Sequence, residues 1–304
     1  MNQPLFWILF NLFVLLMLAV DLWILNRPAH RLTFRRALAW SLTWILLAAG
    51  FAALLYFRRG REISIEFTAA YLVEFSLSVD NLFIFLLLFR SFRVPAELQP
   101  KVLTWGILGA LLMRGAFIVL GIELMRMFHW ILYLFGAFLV VSGIRLFRHH
   151  KLGMEEVEKN PLLRWFRRWI PVTEDYEGER FFVRRQGLYA TPLALVLFVV
   201  ETTDLLLATD SIPAALAITR DPFIVYASNA FAVLGLRALF FVLAGMMEIF
   251  EYLHFGLACV LIFIGAKMLA TDYYPIPTGL TLTIVAGVLL LSVVASIIHP
   301  GHEI

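Results

Sequence analysis

Residues 71–83 read Y-L-V-E-F-S-L-S-V-D-N-L-F, and residues 200–214 read V-E-T-T-D-L-L-L-A-T-D-S-I-P-A. Each is an apolar run of helical length broken by carboxylates, and the breaks follow one pattern. From Glu74 the chain reads E-F-S-L-S-V-D-N, and from Asp204 it reads D-L-L-L-A-T-D-S. In both, a carboxylate is followed six residues later by aspartate and then by a small amide or hydroxyl residue. The likeness continues downstream. G-A-L-L-M-R-G, which carries Arg114, answers A-V-L-G-L-R-A around Arg237, and G-I-R-L from Gly143 answers G-A-K-M from Gly265. Two copies of a three-span unit are therefore expected, and an odd number of crossings per copy inverts the second relative to the first. Inverted repeats with a site at their interface near the midplane are an architecture of secondary transporters.

The rest of the chain is apolar to the same degree. Of 304 residues, 62% are hydrophobic and 15% charged, against about half and a quarter in a soluble domain. The hydrophobic residues fall in runs of about 20, the length a helix needs to cross the hydrocarbon core. About nine spans can be marked, at 5–25, 37–57, 65–89, 102–122, 128–147, 189–208, 223–246, 253–270 and 278–298. The expected fold is an all-α polytopic membrane protein, a single membrane domain over 1–304. Repeat 1 covers about 65–147 and repeat 2 about 189–270. Between them, 148–187 mixes Arg148, Lys151, Arg164, Arg167, Arg168, Arg184 and Arg185 with acids, Pro161, Pro171 and Gly178, and reads as a loop with an amphipathic piece near Leu162 to Ile170.

Basic residues set the orientation. The first connection holds Arg27, Arg31, Arg35 and Arg36, the third Arg90, Arg93 and Lys101, and the fifth is the long basic loop. Among even connections only the second, with Arg58, Arg59 and Arg61, is basic. Nine spans then place the N-terminus outside and the C-terminus in the cytoplasm. No Lys or Arg precedes Arg27, so the first span lacks the basic region of a cleaved signal peptide and is expected to be retained. The net charge of +3 belongs to this topology, and the expected partners are the bilayer and a small cation, with no nucleic acid. The single cysteine, Cys259, lies in an apolar run, so neither an intrachain disulfide nor a thiolate metal cluster is expected.

Glu74, Asp80 and Asn81 fall in the third span, and Glu201, Thr203, Asp204, Asp210 and Ser211 in or just beyond the sixth. Carboxylates in hydrocarbon are expensive and normally face a protein interior or an aqueous cavity. Ion pairing with Arg114 and Arg237 accounts for part of them. Against those two arginines stand Glu74, Asp80, Glu201, Asp204 and Asp210, so about three acids still need a cation or a proton. Lys267 offsets one more unless it reaches out to the interface. On a helix, Glu74, Ser78 and Asn81 share a face, as do Asp204 and Ser211, while Asp80 and Asp210 sit about 120° away. Pro213 removes the hydrogen bond to the Thr209 carbonyl and favours a break beside Asp210; the first copy has Phe83 at that place. The metal-ligand candidates are Glu74, Asp80, Asn81, Asp204, Asp210 and Ser211, with Glu201, Thr203, Arg114, Arg237, Asp21 and Lys267 in support. All the ligands are oxygen donors, which suits Mn²⁺, Mg²⁺ or Ca²⁺ as a transported ion and involves no bound cofactor. Asp21, near the end of the first span, either joins this site or lies at the interface near Arg27. His149, His150, His299 and His302 read as solvated loop and tail residues. Gly106, Gly109, Gly115, Gly121, Gly235 and Gly245 read as helix-packing positions.

At these residues the chain resembles the TerC family of integral membrane proteins. The stretches that carry the resemblance are 71–83 and 200–214, N-A-F-A-V-L-G-L-R-A-L-F-F at 229–241 and D-L-W-I-L-N-R-P-A-H at 21–30; it runs from about residue 5 to 298. It implies a bacterial inner-membrane protein tied to Mn²⁺ export and alkaline-pH responses, with a family name drawn from tellurite resistance. It also implies kinship with lysine-exporter-like transporters. Where family members carry an aromatic residue before the alanine of the second motif, this chain has Leu207.

The expected function is export of a divalent cation by alternating access, possible proton exchange included. An amino-acid or other small-cation exporter is a second reading, disfavoured because a zwitterion's carboxylate asks for more positive partners than the spans hold. A membrane scaffold for metallating or inserting other proteins is a third. No nucleophile–base constellation or phosphate loop is present, so no enzyme activity is expected.

Overall fold

Helices form wherever the apolar runs lie, because a backbone in hydrocarbon must satisfy its own hydrogen bonds. The computed structural model describes residues 3–25, 34–128, 130–148, 170–184, 187–244, 253–274 and 276–298, with Phe166 and Arg168. The helices are α1 (Gln3–Leu25), α2 (Phe34–Arg59), α3 (Arg61–Ser91), α4 (Gln99–Met127), α5 (Ile131–Arg148), α6 (Pro192–Ile218), α7 (Pro222–Leu234), α8 (Leu236–Ala244), α9 (Leu253–Ala270) and α10 (Thr278–Ile298). Helices α2, α3, α4, α6 and α10 are each long and apolar enough to cross a membrane, and α7 with α8 makes a sixth such span bent by 41°. The remaining three, α1, α5 and α9, are shorter apolar helices in their described parts. The protein is an all-α polytopic membrane protein. The four histidines singled out above, Gly245 and most of the central loop lie outside the described residues.

Two expectations about breaks are corrected. Helix α6 runs unbroken to Ile218 with Pro213 inside it, so Asp210 and Ser211 lie within a helix. Ile212, Pro213, Ala214 and Ala215 are buried, and neighbouring helices hold α6 on course across the one missing hydrogen bond. The break falls instead at Gly235, between α7 and α8. The central loop is also less irregular than expected: β1 (Phe182–Arg184) pairs antiparallel with β2 (Leu188–Ala190), Val183 opposite Tyr189. The stretch leading into this hairpin is docked on the α3–α4 turn and the start of α4. The half-buried Tyr176 hydroxyl, its phenol pushed up by burial, donates to the Phe92 carbonyl at 2.9 Å, and Lys101 donates to the Glu179 carbonyl at 2.6 Å. The turn itself is a Schellman ending of α3, with Val94 N–H on the Phe89 carbonyl and Arg93 N–H on the Arg90 carbonyl. Its left-handed position, φ 50°, is taken by Arg93 where glycine is usual.

Polar contacts join connections of the same parity. Arg59 meets Asp221 at 3.0 Å, Lys101 meets Glu179, and the Tyr133 hydroxyl donates to Asp272. Second joins sixth, third joins fifth, and the start of α5 joins the turn after α9, as alternating crossings require.

Helix packing has an exchange pattern. Helix α3 packs on α7 and α4 on α6, while α5 packs on α9 and α3 on α6. At the α5–α9 crossing, a Cβ on Gly143 would meet the Ala258 carbonyl at 2.8 Å and the Ile262 amide at 3.0 Å. A Cβ on Gly265 would meet the Gly136 carbonyl at 2.6 Å and the Val140 amide at 2.8 Å. Aligning Gly143 with Gly265, as the repeat does, aligns Gly136 with Ala258 and Val140 with Ile262. Each contact thus maps onto the other, which is what a two-fold relation between the halves produces. Around this six-span core, α1 lies on α7, α2 on α3 and α8, and α10 on α3 and α9. Helices α2 and α10 show Leu38, Leu42, Leu46, Leu290 and Leu291 outward, a surface suited to lipid.

Candidate functional site in the membrane core

The leading acids of the two matching patterns, Glu74 and Asp204, meet on one arginine. Arg114, from the middle of α4, places Nη1 3.1 Å from Glu74 Oε2 and Nη2 3.1 Å from Asp204 Oδ1, with Nε donating to Asp204 Oδ2 at 3.3 Å. Asn229 of α7 donates to Glu74 Oε2 at 2.9 Å. Glu74 is 0% exposed, Arg114 1% and Asp204 3%, so four helices converge on a fully enclosed charged centre. The planar guanidinium is suited to this, since it remains charged and serves two carboxylates at fixed angles. With both acids ionised the trio carries a net negative charge. Oxygens of the centre and within one turn of it lack a hydrogen-bond partner among the described residues: Glu74 Oε1, Ser78 Oγ and Glu201 Oε2; so does Ser211 Oγ, two turns beyond Asp204. Enclosed orphan acceptors are uncommon, and each asks for a ligand, a water or a proton.

Glu201 lies one turn before Asp204 and turns toward α4, where the missing side chain of Gly109 makes its room; a Cβ there would overlap the carboxylate. Gly106 and Gly121 of the same stripe face Val200 and Leu216 of α6, so these glycines are packing positions, Gly109 with a polar tenant. Gly109→Ala is expected to leave thermal stability near wild type, because the end of a flexible side chain can swing aside, while displacing Glu201. Under a cation-transport reading, metal accumulation in cells then reads out whether Glu201 matters in that place, and accumulation at the wild-type level would remove it from the site.

The other motif residues do not join the centre. Asp210, half-buried, accepts from Ser142 of α5 at 2.6 Å. Asp80, also half-buried, makes no hydrogen bond or ion pair among the described residues. Asn81 is buried and Thr203 half-buried. Among the described residues no three His, Cys, Asp or Glu side chains come together as a metal-binding group, so the four acids are not gathered as co-ligands in this arrangement. The arginines also divide: the described partner of Arg237 is Asp21, 3.8 Å away. Asp21 is 2% exposed and belongs to the core between α1 and α8, not to the interface. The carboxylate whose charge reaches Lys267 is Glu66, which accepts from Thr219 at 2.6 Å; among the described residues Lys267 makes no ion pair with a motif acid.

Asn229, Ser142, Gly109 in its polar role, and the Glu66–Thr219 pair were not anticipated. Asn229 had a signal, an amide opening the apolar run that ends on Arg237. Ser142 and Thr219 had none, since lone hydroxyls in apolar helices commonly bond their own backbone.

Comparison with known proteins agrees with this architecture. Residues 59–301 match the model of the "Integral membrane protein TerC family". The chain is 46% identical over 301 residues to a protein of Escherichia coli K12 named "Putative membrane-bound redox modulator Alx", covering 96% of this chain and 94% of that one. It is 45% identical over 302 residues to an uncharacterized membrane protein of Myxococcus xanthus, covering 99% and 94%. An uncharacterized membrane protein of Rickettsia bellii is 37% identical over 295 residues, covering 96% and 97%. No solved structure matches the chain. With its acids and arginines on helices that the family match spans from α3 to α10, the chain belongs to the TerC family of integral membrane proteins.

Proposed function

We propose that the protein exports a divalent metal ion, Mn²⁺, across the bacterial inner membrane by alternating access, one three-helix repeat moving against the other, with protons taken up in exchange. The observation that carries this reading is the enclosed centre of Glu74, Arg114 and Asp204, net negative with both acids ionised, together with buried oxygens of Glu74, Ser78 and Glu201, each within one turn of it, that have no partner among the described residues. Oxygen donors of this kind suit a hard divalent ion. The mapped contacts at the α5–α9 crossing support a two-fold relation of the kind alternating access uses. Arg114 holds the two acids while the ion is absent and limits occupancy to one ion; Asn229 orients Glu74. Manganese among the hard cations comes from the family resemblance. The N-terminus lies outside and the C-terminus in the cytoplasm, by the distribution of basic residues, and no chemical reaction is catalysed.

The test is whole-cell metal content. Asp80→Asn and Asp210→Asn are each expected to raise intracellular manganese in cells grown with added Mn²⁺, to the level of cells lacking the protein. Normal manganese in both variants, at wild-type protein abundance, would remove these residues from the transport path.

A further inference from the structure

We infer that a polar strap between the α6–α7 turn and the α2–α3 joint is the gate on the face opposite the α3–α4 turn, and that it parts when the centre opens to that side; this rests on the alternating-access reading above. The strap is a chain of bonds through four side chains. Glu66 of α3 accepts from the Thr219 hydroxyl at 2.6 Å, and the same Thr219 oxygen accepts from the Asp221 amide at 3.2 Å. Asp221 caps α7 with one carboxylate oxygen, 2.9 Å from the Phe223 amide, and holds Arg59 at the end of α2 with the other, 3.0 Å away. The Arg59 guanidinium also lies over the Phe223 ring, 5.5 Å from its centroid. Repeat 2 is thereby tied to the joint at Gly60, where a φ of 97° turns α2 into α3.

The polar ties between the repeats are one-sided. Among the described residues, side-chain bonds that cross from one repeat to the other lie at the centre, at Ser142 with Asp210, or on the strapped face. On that face, Tyr133 with Asp272 joins the strap in linking the two halves. At the opposite face, Lys101 with Glu179 and Tyr176 with Phe92 run between repeat 1 and the central loop, not to repeat 2. The contact across the repeats there is aromatic: Phe89 of α3 stands edge-on to Phe240 of α8, with centroids 5.5 Å apart. One side is thus closed by directional bonds and the other by apolar packing.

The strap is also built to yield. The Arg59 and Asp221 side chains are 34% and 29% exposed, so water screens their attraction and takes over either partner when they separate. The enclosed Arg114 centre has no such exchange. Glu66 faces the like charges of Glu62 and Asp221, and Lys267 of α9 offsets them. With Arg59 or the Thr219 hydroxyl removed, what remains between Glu66 and Asp221 is repulsion. By the distribution of basic residues this face is extracytoplasmic, so the strap closes the side on which an exporter releases its ion.

The experiment is distance measurement by double electron–electron resonance on the full-length protein in lipid nanodiscs, with Cys259→Ala as background. One spin-labelled pair, Arg61→Cys with Arg220→Cys, reports the strapped face; a second, Glu97→Cys with Ala244→Cys, reports the opposite face, and all four positions are exposed. Thr219→Val combined with Asp221→Asn cuts the strap, while asparagine still caps α7. The first pair is then expected to gain a population longer by about 5 Å, one helical turn, with the second pair unchanged or shorter. Arg59→Gln alone leaves α6 and α7 untouched and is expected to shift the first pair in the same sense. Unchanged distances in both cut proteins overturn the gate. Lengthening at both faces overturns it as well, because the strap would then be a general tie of the fold. The distances require neither metal nor transport, so the readings separate. The expected shift with normal manganese in the Asp80→Asn and Asp210→Asn variants overturns metal export and keeps the gate; unchanged distances with raised manganese do the reverse.

Discussion

Replacing Arg114 with methionine is expected to cost about 3–5 kcal/mol of stability, the range for removing one partner of a buried pair. Methionine keeps much of the volume and removes the charge. Glu74 and Asp204 would then face each other across an enclosed space without their shared cation, and Asn229 alone cannot answer both. The measurement is thermal unfolding of the purified protein in detergent. The control that isolates the charge is the triple variant Arg114→Met, Glu74→Gln, Asp204→Asn, which removes the uncompensated acids together with the arginine and is expected to recover most of the loss. If the proposed manganese export is the activity, it is expected to vanish in both. Arg114→Lys should be intermediate, since an ammonium cannot reproduce two forked contacts at once. An Arg114→Met protein as stable as wild type would mean that the acids are neutral or otherwise partnered, and the charged centre would have to be redrawn.

The second large effect is expected at the helix crossing. Gly265→Ala sets a methyl group 2.6 Å from the Gly136 carbonyl and 2.8 Å from the Val140 amide. Both obstacles are backbone, so α5 and α9 must separate, at about 1–3 kcal/mol for overpacking of this kind. Gly143→Ala meets the Ala258 carbonyl and the Ile262 amide in the same way and should behave alike, while combining the two should cost less than their sum because one separation relieves both. Gly287→Ala in α10, with nothing within 4 Å of the added carbon, is the reference and should be neutral or slightly stabilising by helix propensity. Equal melting temperatures for Gly265→Ala and Gly287→Ala would contradict the close crossing.

Much of the fold could be read from hydropathy because each span is an apolar run bounded by charge or proline. The last two spans match α9 and α10 end to end. Elsewhere the helices overrun the apolar stretch: α3 begins at Arg61, and α6 continues through Asp210 and Pro213 to Ile218. Hydropathy measures what lipid tolerates, whereas a helix continues into polar residues as long as its hydrogen bonds close. The same blindness hid the hairpin at 182–190 and the stretch leading into it, where Tyr176 bonds the distant turn at Phe92.

Within the site, the sequence by itself determined which residues carry charge in the membrane, their order in two copies, and the surplus of acids over arginines. Composition and spacing suffice for those, because an ionised group in hydrocarbon stands out in any one-dimensional reading. Which charges meet was decided only by tertiary structure. Arg114 and Arg237 look equivalent along the chain, yet Arg114 gathers Glu74 and Asp204 while Arg237 lies beside Asp21 of α1, beyond the bend at Gly235. Asp80 and Asp210 look like further ligands of one centre, yet neither joins it: Asp210 accepts from Ser142, and Asp80 makes no hydrogen bond or ion pair among the described residues. Periodicity settles the angle of a side chain around its own helix; pairing between helices depends on their crossing, direction and depth, and these arise only when the helices pack.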